Sequence, residues 1–184
     1  MTISSAIQWL LLSALLLLGR ACASAGMFDL SSVELESVGV RYGFPAKSET
    51  RGLQEAEMFS DCRLPWRYSL GDLEARLTLD MSLGWLGGHS ENAFMGTVGP
   101  SLRLRWPNFP IELDGGSSPT FVSEHQFGNT EISTHFQFTS HAGINWEVTR
   151  HLRLGYRFTH MSNAGIKEPN PGLNMHVIGT SWLF

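Results

Sequence analysis

The chain of 184 residues carries 13 basic and 17 acidic side chains and is 42% hydrophobic but only 16% charged, which is one domain's worth of sequence. A formal charge of −4 and a pI near 5.9 leave no basic stripe for a phosphate backbone, so sequence-independent nucleic-acid binding is excluded. Nineteen Gly, six Trp and eleven Phe exclude a disordered chain, which lacks aromatics and carries high net charge.

At the N-terminus, Trp9 to Leu18 (WLLLSALLLL) is an apolar run too short to cross about 30 Å of hydrocarbon as a helix. It is followed by Ala23-Ser24-Ala25, a small-x-small cleavage pattern, so residues 1–25 read as a secretory signal peptide and 26–184 as the mature domain. An uncleaved anchor and a lipoprotein site at Cys22 are the weaker alternatives, the latter because Arg20 and Ala21 precede the cysteine. Cleavage after Ala25 leaves Cys62 as the one cysteine, so the exported domain must be stable without an internal disulfide.

No later stretch reaches 18 consecutive apolar residues, yet period-2 alternation recurs along the whole chain. Strands are expected near 31–43, 53–64, 73–86, 93–106, 111–122, 132–146, 152–162 and 173–184. The third is the most regular: Leu73, Ala75, Leu77, Leu79, Met81, Leu83 and Trp85 alternate with Glu74, Arg76, Thr78, Asp80, Ser82 and Gly84. In the fourth, Phe94, Val98, Leu102, Leu104 and Trp106 alternate with Thr97, Ser101, Arg103 and Arg105. In the sixth, Phe136, Phe138, Ala142, Ile144 and Trp146 alternate with His135, Gln137, Thr139, His141 and Asn145. The seventh sets Leu152, Leu154, Tyr156 and Phe158 against Arg153, Gly155, Arg157 and Thr159. Residues 107–110 and 147–150 are short connections, while 44–52, 87–92, 123–131 and 163–172 are longer and suited to the outside of a cell.

Alternation alone fits either a membrane barrel or a soluble lipocalin-like carrier with its apolar faces turned inward. Three features favour the barrel. The polar faces carry opposite charges, including Glu55, Glu57, Asp61, Arg63, Arg76, Asp80, Arg103 and Arg157, as an ion-paired lumen would. Tyr42, Trp85, Trp106, Trp146 and Trp182 fall on the apolar faces where an aromatic girdle would lie. The chain ends in Phe184, on the parity of Trp182 and Ile178, which resembles the assembly signal of bacterial outer-membrane barrels. The fold expected is therefore all-β, an eight-stranded antiparallel transmembrane β-barrel in the bacterial outer membrane. Eight strands leave too little internal volume for a wide pore, so function must reside on the loops or the outer wall.

On the outer face of the seventh strand, Leu152, Leu154, Tyr156 and Phe158 are followed by His160 and Ser162. A hydroxyl and an imidazole two residues apart on one strand face lie about 6–7 Å apart at the backbone, which is the spacing for a nucleophile and its base. The bland alternative is a strand leaving the bilayer with polar residues among the headgroups.

The stretch His160 to Asn174, HMSNAGIKEPNPGLN, resembles the active-site segment of the lipid A 3-O-deacylase family of PagL type, with HxSN, then AG, PN and a Gly before the last strand. The resemblance implies an eight-stranded outer-membrane barrel with a Ser-His-acid hydrolase site on its outer wall. It implies Ser162 as nucleophile, His160 as general base and acid, and Asn170 as a candidate for the oxyanion environment. The family acid falls twelve residues after the serine, and here that residue is Asn174. Asn can fix the imidazole tautomer but cannot match a carboxylate beside an imidazolium. Glu168 is the nearest loop carboxylate and a possible substitute. Strand parity also makes His176 a candidate, expected opposite His160 with Asn174 on the diagonal.

Among the other histidines, His89, His125, His135 and His141 share no metal-ligand spacing, and neither a metal nor a cofactor is expected. Gly87-Gly88 and Gly115-Gly116 read as turn or bulge residues, and Cys62 as a lipid-facing side chain with Met58. The resulting expectation is hydrolysis of the ester-linked 3-hydroxyacyl chain of lipid A in lipopolysaccharide, among outer-membrane lipids, with a homodimer left open. The alternative is a catalytically inert barrel with a structural or surface-interaction role.

Overall fold

A computed structural model describes residues 33–46, 52–88, 91–128 and 130–184. The signal peptide expected over residues 1–25 lies outside the described residues, as does His89. Eight long strands form the wall: β1 (Glu34–Pro45), β2 (Gln54–Leu70), β3 (Leu73–Gly88), β4 (Glu91–Arg105), β5 (Ile111–Val122), β8 (Phe136–Glu147), β9 (Leu152–Ser162) and β10 (Leu173–Leu183). Between β5 and β8 the short strands β6 (Gln126–Phe127) and β7 (Thr130–Glu131) make a separate two-stranded hairpin. The eight close into an antiparallel barrel, sealed by β1 against β10 from Ser37–Leu183 to Pro45–Met175. Closure leaves the wall without an edge strand.

The barrel is inside out by the standard of a soluble protein. Leu83 is 62% exposed and Trp182 54%, while Arg103 in the lumen is 1% exposed. This overturns the lipocalin-like alternative, because the apolar parity of the strands faces outward and the charged parity inward. Burying that many ions requires mutual compensation. Around Glu36, Arg76, Arg103 and Arg153 lie 2.8–3.1 Å from one carboxylate oxygen. Higher in the lumen Arg157 joins Asp80 at 2.6 Å and Asp114 at 2.7 Å, and Arg41 joins Asp80 at 3.0 Å and Glu57 at 3.2 Å. A cavity of about 40 Å³ lined by Arg41, Glu55, Asp80, His141 and Arg157 has room for water but not for solute passage.

At the end of the barrel that carries the long connections, the lumen changes character. Leu53, Leu86, Met95, Val122, Met161, Leu173, Met175 and Val177 pack inward, and Phe127 and Ile132 from the β6–β7 segment join them. This segment accounts for one difference from the strand expectations. The strand expected from 132 begins at Phe136, because Ile132 and Ser133 are drawn into the mouth of the barrel, with Ser133 at φ +63°. A second difference is that β2 runs to Leu70 instead of ending near 64. Its pairing with β3 shifts between Arg63 and Arg67, spanning Pro65, which has no N–H to give to a ladder, and then resumes down to a two-residue turn with Gly71 at φ +57°. Similarly, β3 and β4 pair as far as Gly88 and Glu91, which shortens the connection expected at 87–92.

The orientation of the wall is open to a direct test. Leu79→Arg, near the middle of β3, places a cation in hydrocarbon and is expected to cost about 2–4 kcal/mol, whereas Thr78→Ser, inside the lumen, should cost far less. Denaturant unfolding of both variants from lipid vesicles measures the difference, and equal tolerance would contradict the assignment of faces.

Candidate active site

The site arises where the polarity of β9 and β10 inverts. Over most of their length apolar side chains point out, but near the long-connection end Met161, Leu173, Met175 and Val177 point into the lumen and His160, Ser162, Asn174 and His176 point out. On β3, β4 and β5 at the same end, the outward positions Trp85, Phe94 and Phe121 remain apolar and exposed. The inversion is therefore local. The inward side chains pin the two strand backbones from behind, which holds the outward polar set in register.

His160 and Asn174 are directly opposite across the β9–β10 ladder. The imidazole Nδ1–H donates to Asn174 Oδ1 at 2.8 Å. Because an amide oxygen only accepts, this bond places the ring proton on Nδ1 and leaves the Nε2 lone pair as a base. Ser162 closes β9 two residues further along on the same face and is 5% exposed. Gly172, at φ +69°, precedes β10; a Cβ there would sit 2.7 Å from His160 Cε1, so a glycine is needed for the imidazole to occupy its place.

The loop after Ser162 is organised by Asn163, which is fully buried. Its side-chain amide donates to the Lys167 carbonyl at 2.7 Å, its Oδ1 accepts the Gly165 N–H at 3.0 Å, and its own N–H donates to Asn170 Oδ1 at 3.2 Å. Asn170 thus has its acceptor engaged, and the NH₂ end of its amide is the part available as a donor. Glu168 Oε2 accepts the Asn170 N–H at 3.0 Å, and the Pro169 carbonyl accepts from Ser133 Oγ at 2.7 Å, which ties the loop to the barrel mouth. Asn163 and Gly172 both lie in the motif, as the N of HxSN and the Gly before the last strand, but the motif alone does not mark one as the organiser of the loop and the other as room for the imidazole.

Two expected placements change. His176 does not lie opposite His160; its cross-strand partners are Phe158 and Phe44, and its Nδ1 is hydrogen bonded at 2.8 Å to the Tyr156 hydroxyl. The reason is a register in which Asn174, not His176, faces His160. Glu168 is committed to the loop backbone instead of the imidazole. The remaining described histidines are dispersed: His141 Nε2 pairs with Asp114 at 3.0 Å in the lumen, His125 and His135 meet edge to face over the mouth, and His151 stacks on Trp182.

The family model for lipid A 3-O-deacylase (PagL) matches residues 56–182. The chain belongs to this family. Within the lipid A 3-O-deacylase family, it is 34% identical to the lipid A deacylase PagL of Bordetella bronchiseptica over 116 residues, which is 60% of this chain and 65% of that protein. The chain thus spans less than two thirds of the length of that relative. Among solved structures, that of the outer membrane enzyme PagL superimposes with a TM-score of 0.71 at 16% identity, covering 80% of this chain and 99% of that one. A designed transmembrane β-barrel follows at a TM-score of 0.50 and 15% identity, covering 82% and 95%. Likeness at such identities speaks for the fold, and it is that of an outer-membrane barrel.

Proposed function

We propose that this protein is a lipid A 3-O-deacylase of the outer membrane, an esterase that hydrolyses the ester-linked 3-hydroxyacyl chain at position 3 of lipid A. Membership of the family supports the reaction, and the 2.8 Å bond from His160 to Asn174 is the observation that carries the assignment of roles. In the proposed reaction His160 Nε2 takes the proton of Ser162 Oγ as that oxygen attacks the ester carbonyl. The NH₂ of Asn170 faces the developing oxyanion. The protonated imidazole then returns its proton to the departing sugar oxygen, and a water activated by the same nitrogen releases the fatty acid from Ser162. The site opens on the outer wall, so the acyl chain stays against the barrel and in lipid while its ester reacts.

Mass spectrometry of lipid A from cells with and without the protein tests the reading. Loss of one 3-hydroxyacyl mass is expected with it, and unchanged lipid A would count against it. The amide at position 174 favours a second reading, an inert barrel, because it cannot supply a full charge beside the imidazolium. Substitution separates the two. Asn174→Glu is expected to raise the initial rate by about ten- to a hundredfold by adding that charge, and Asn174→Leu to lower it by a similar factor. Glu168→Gln, at a carboxylate bonded to the loop backbone, should change the rate by less than about threefold. A rate that does not respond to position 174 would remove Asn174 from the orienting role.

A further inference from the structure

One polar pair on the outer wall has no part in the proposed proton transfers. Tyr156 and His176 lie on the lipid-facing parity of β9 and β10, below His160 and Asn174 in the direction away from the long connections, and their hydroxyl and Nδ1 are 2.8 Å apart. The surrounding outward residues are apolar: Phe44, Phe158, Ile178 and Ile144 are all exposed. Polar groups at such positions in hydrocarbon are costly and need a use for every donor. The phenol is the stronger acid and donates to Nδ1, so the ring proton resides on Nε2. The imidazole is also held in one orientation. Its centroid lies 5.5 Å from that of Phe44, 5.6 Å from Phe158 and 6.0 Å from Tyr156, a three-sided aromatic collar. What the collar leaves is a fixed N–H donor.

We propose that the Tyr156–His176 pair is a specificity element that recognises a hydroxyl group on the acyl chain two carbons beyond the scissile carbonyl. The inference rests on the deacylase reading, since it is the ester held at Ser162 that sets where the chain begins. Moving from Asn174 to His176 along β10 advances about 6.6–6.8 Å down the wall, the depth through which the first few carbons of a chain descending from the site must pass. There His176 Nε2–H donates to the 3-hydroxyl oxygen, and the aromatic faces of Phe44 and Phe158 receive the methylenes on either side. A chain lacking the hydroxyl leaves that donor unmatched in hydrocarbon, so the pair selects through a penalty on the wrong chain as well as an attraction for the right one. Tyr156 acts through His176 as a positioning residue, by accepting no proton and fixing which nitrogen carries one.

The test uses the full chain refolded in detergent micelles and two glucosamine 3-O-esters that differ only in bearing a 3-hydroxytetradecanoyl or a tetradecanoyl chain. The ratio of kcat/KM for the hydroxylated over the plain ester is expected to exceed unity by about tenfold in the wild type, to fall by about that factor in His176→Phe, which keeps a ring within the collar, and to fall severalfold in Tyr156→Phe. A wild type that treats both esters alike, or a His176→Phe variant that keeps the ratio, overturns the proposal. Nitrogen-15 NMR of the imidazoles supplies an arm independent of turnover. Free 3-hydroxytetradecanoic acid in the micelles should shift His176 Nε2, and tetradecanoic acid should not; equal shifts, or none, overturn the proposal. If neither ester is hydrolysed by the wild type, the deacylase reading fails, and the NMR comparison alone decides whether the pair recognises a hydroxyl.

Discussion

Ser162→Ala and His160→Ala are each expected to lower the rate of lipid A deacylation by about 10⁴- to 10⁶-fold while leaving a folded, heat-modifiable barrel. A serine hydroxyl is a weak nucleophile at neutral pH, and it attacks an ester only when a base removes its proton as the bond forms. The imidazole does this only in the tautomer that Asn174 imposes through Nδ1. In the proposed mechanism serine and histidine act as one unit, so the double variant should be hardly slower than either single one. Neither side chain takes part in the lumen ion pairs or in the apolar packing at the barrel mouth, which is why the fold should survive both changes. Initial rates on purified lipid A measure the effect, and a Ser162→Ala protein with wild-type rates would show that the nucleophile lies elsewhere.

The largest expected effect on stability belongs to the lumen. Arg103 reaches Asp61 at 2.7 Å, Glu36 at 3.1 Å and Glu112 at 3.6 Å, with essentially no exposure to solvent. Replacing it with Met removes the cation and strands carboxylates in a space from which bulk water is excluded, at an expected cost of about 3–5 kcal/mol. Glu36 retains Arg76 and Arg153, but Asp61 is left with the Ser37 hydroxyl at 2.7 Å and Arg153 at 3.8 Å. Adding Asp61→Asn to Arg103→Met should consequently recover part of the loss, and the coupling between the two sites is read from a double-mutant cycle of denaturant midpoints. Strict additivity would show that the two charges do not depend on each other.

Much of the wall was legible in the chain because a membrane barrel writes its faces in alternating order. The run from Leu73 to Trp85 names both its lipid face and its lumen face, and the strand runs from it as expected. The catalytic candidates were legible for the opposite reason: His160 and Ser162 break the alternation where an apolar residue is due. Harder to read were features set by partners distant in sequence. Whether His160 faces Asn174 or His176 depends on a register between two strands joined by a ten-residue loop, and parity alone allows either. The capture of Ile132 by the barrel mouth depends on an apolar cluster drawn from several strands, so a strand pattern beginning at 132 gave no sign that pairing starts at Phe136. Asn163 shows the same limit, since a buried amide that organises a loop looks in sequence like any other loop asparagine.

The outward placement of His160, Ser162 and Asn174 also determines how a substrate would reach them. A ligand anchored by its acyl chains cannot arrive from bulk solution. It meets the wall by lateral diffusion, a search in two dimensions in which concentration is counted per unit of membrane area. The rate of such an enzyme should follow the mole fraction of substrate among the surrounding lipids, so that inert detergent added at constant total substrate slows the reaction by surface dilution alone. Such an enzyme would also compete with the bilayer for its substrate's chains: tighter lipid packing around the barrel would restrict access, and fluidity would become a kinetic variable.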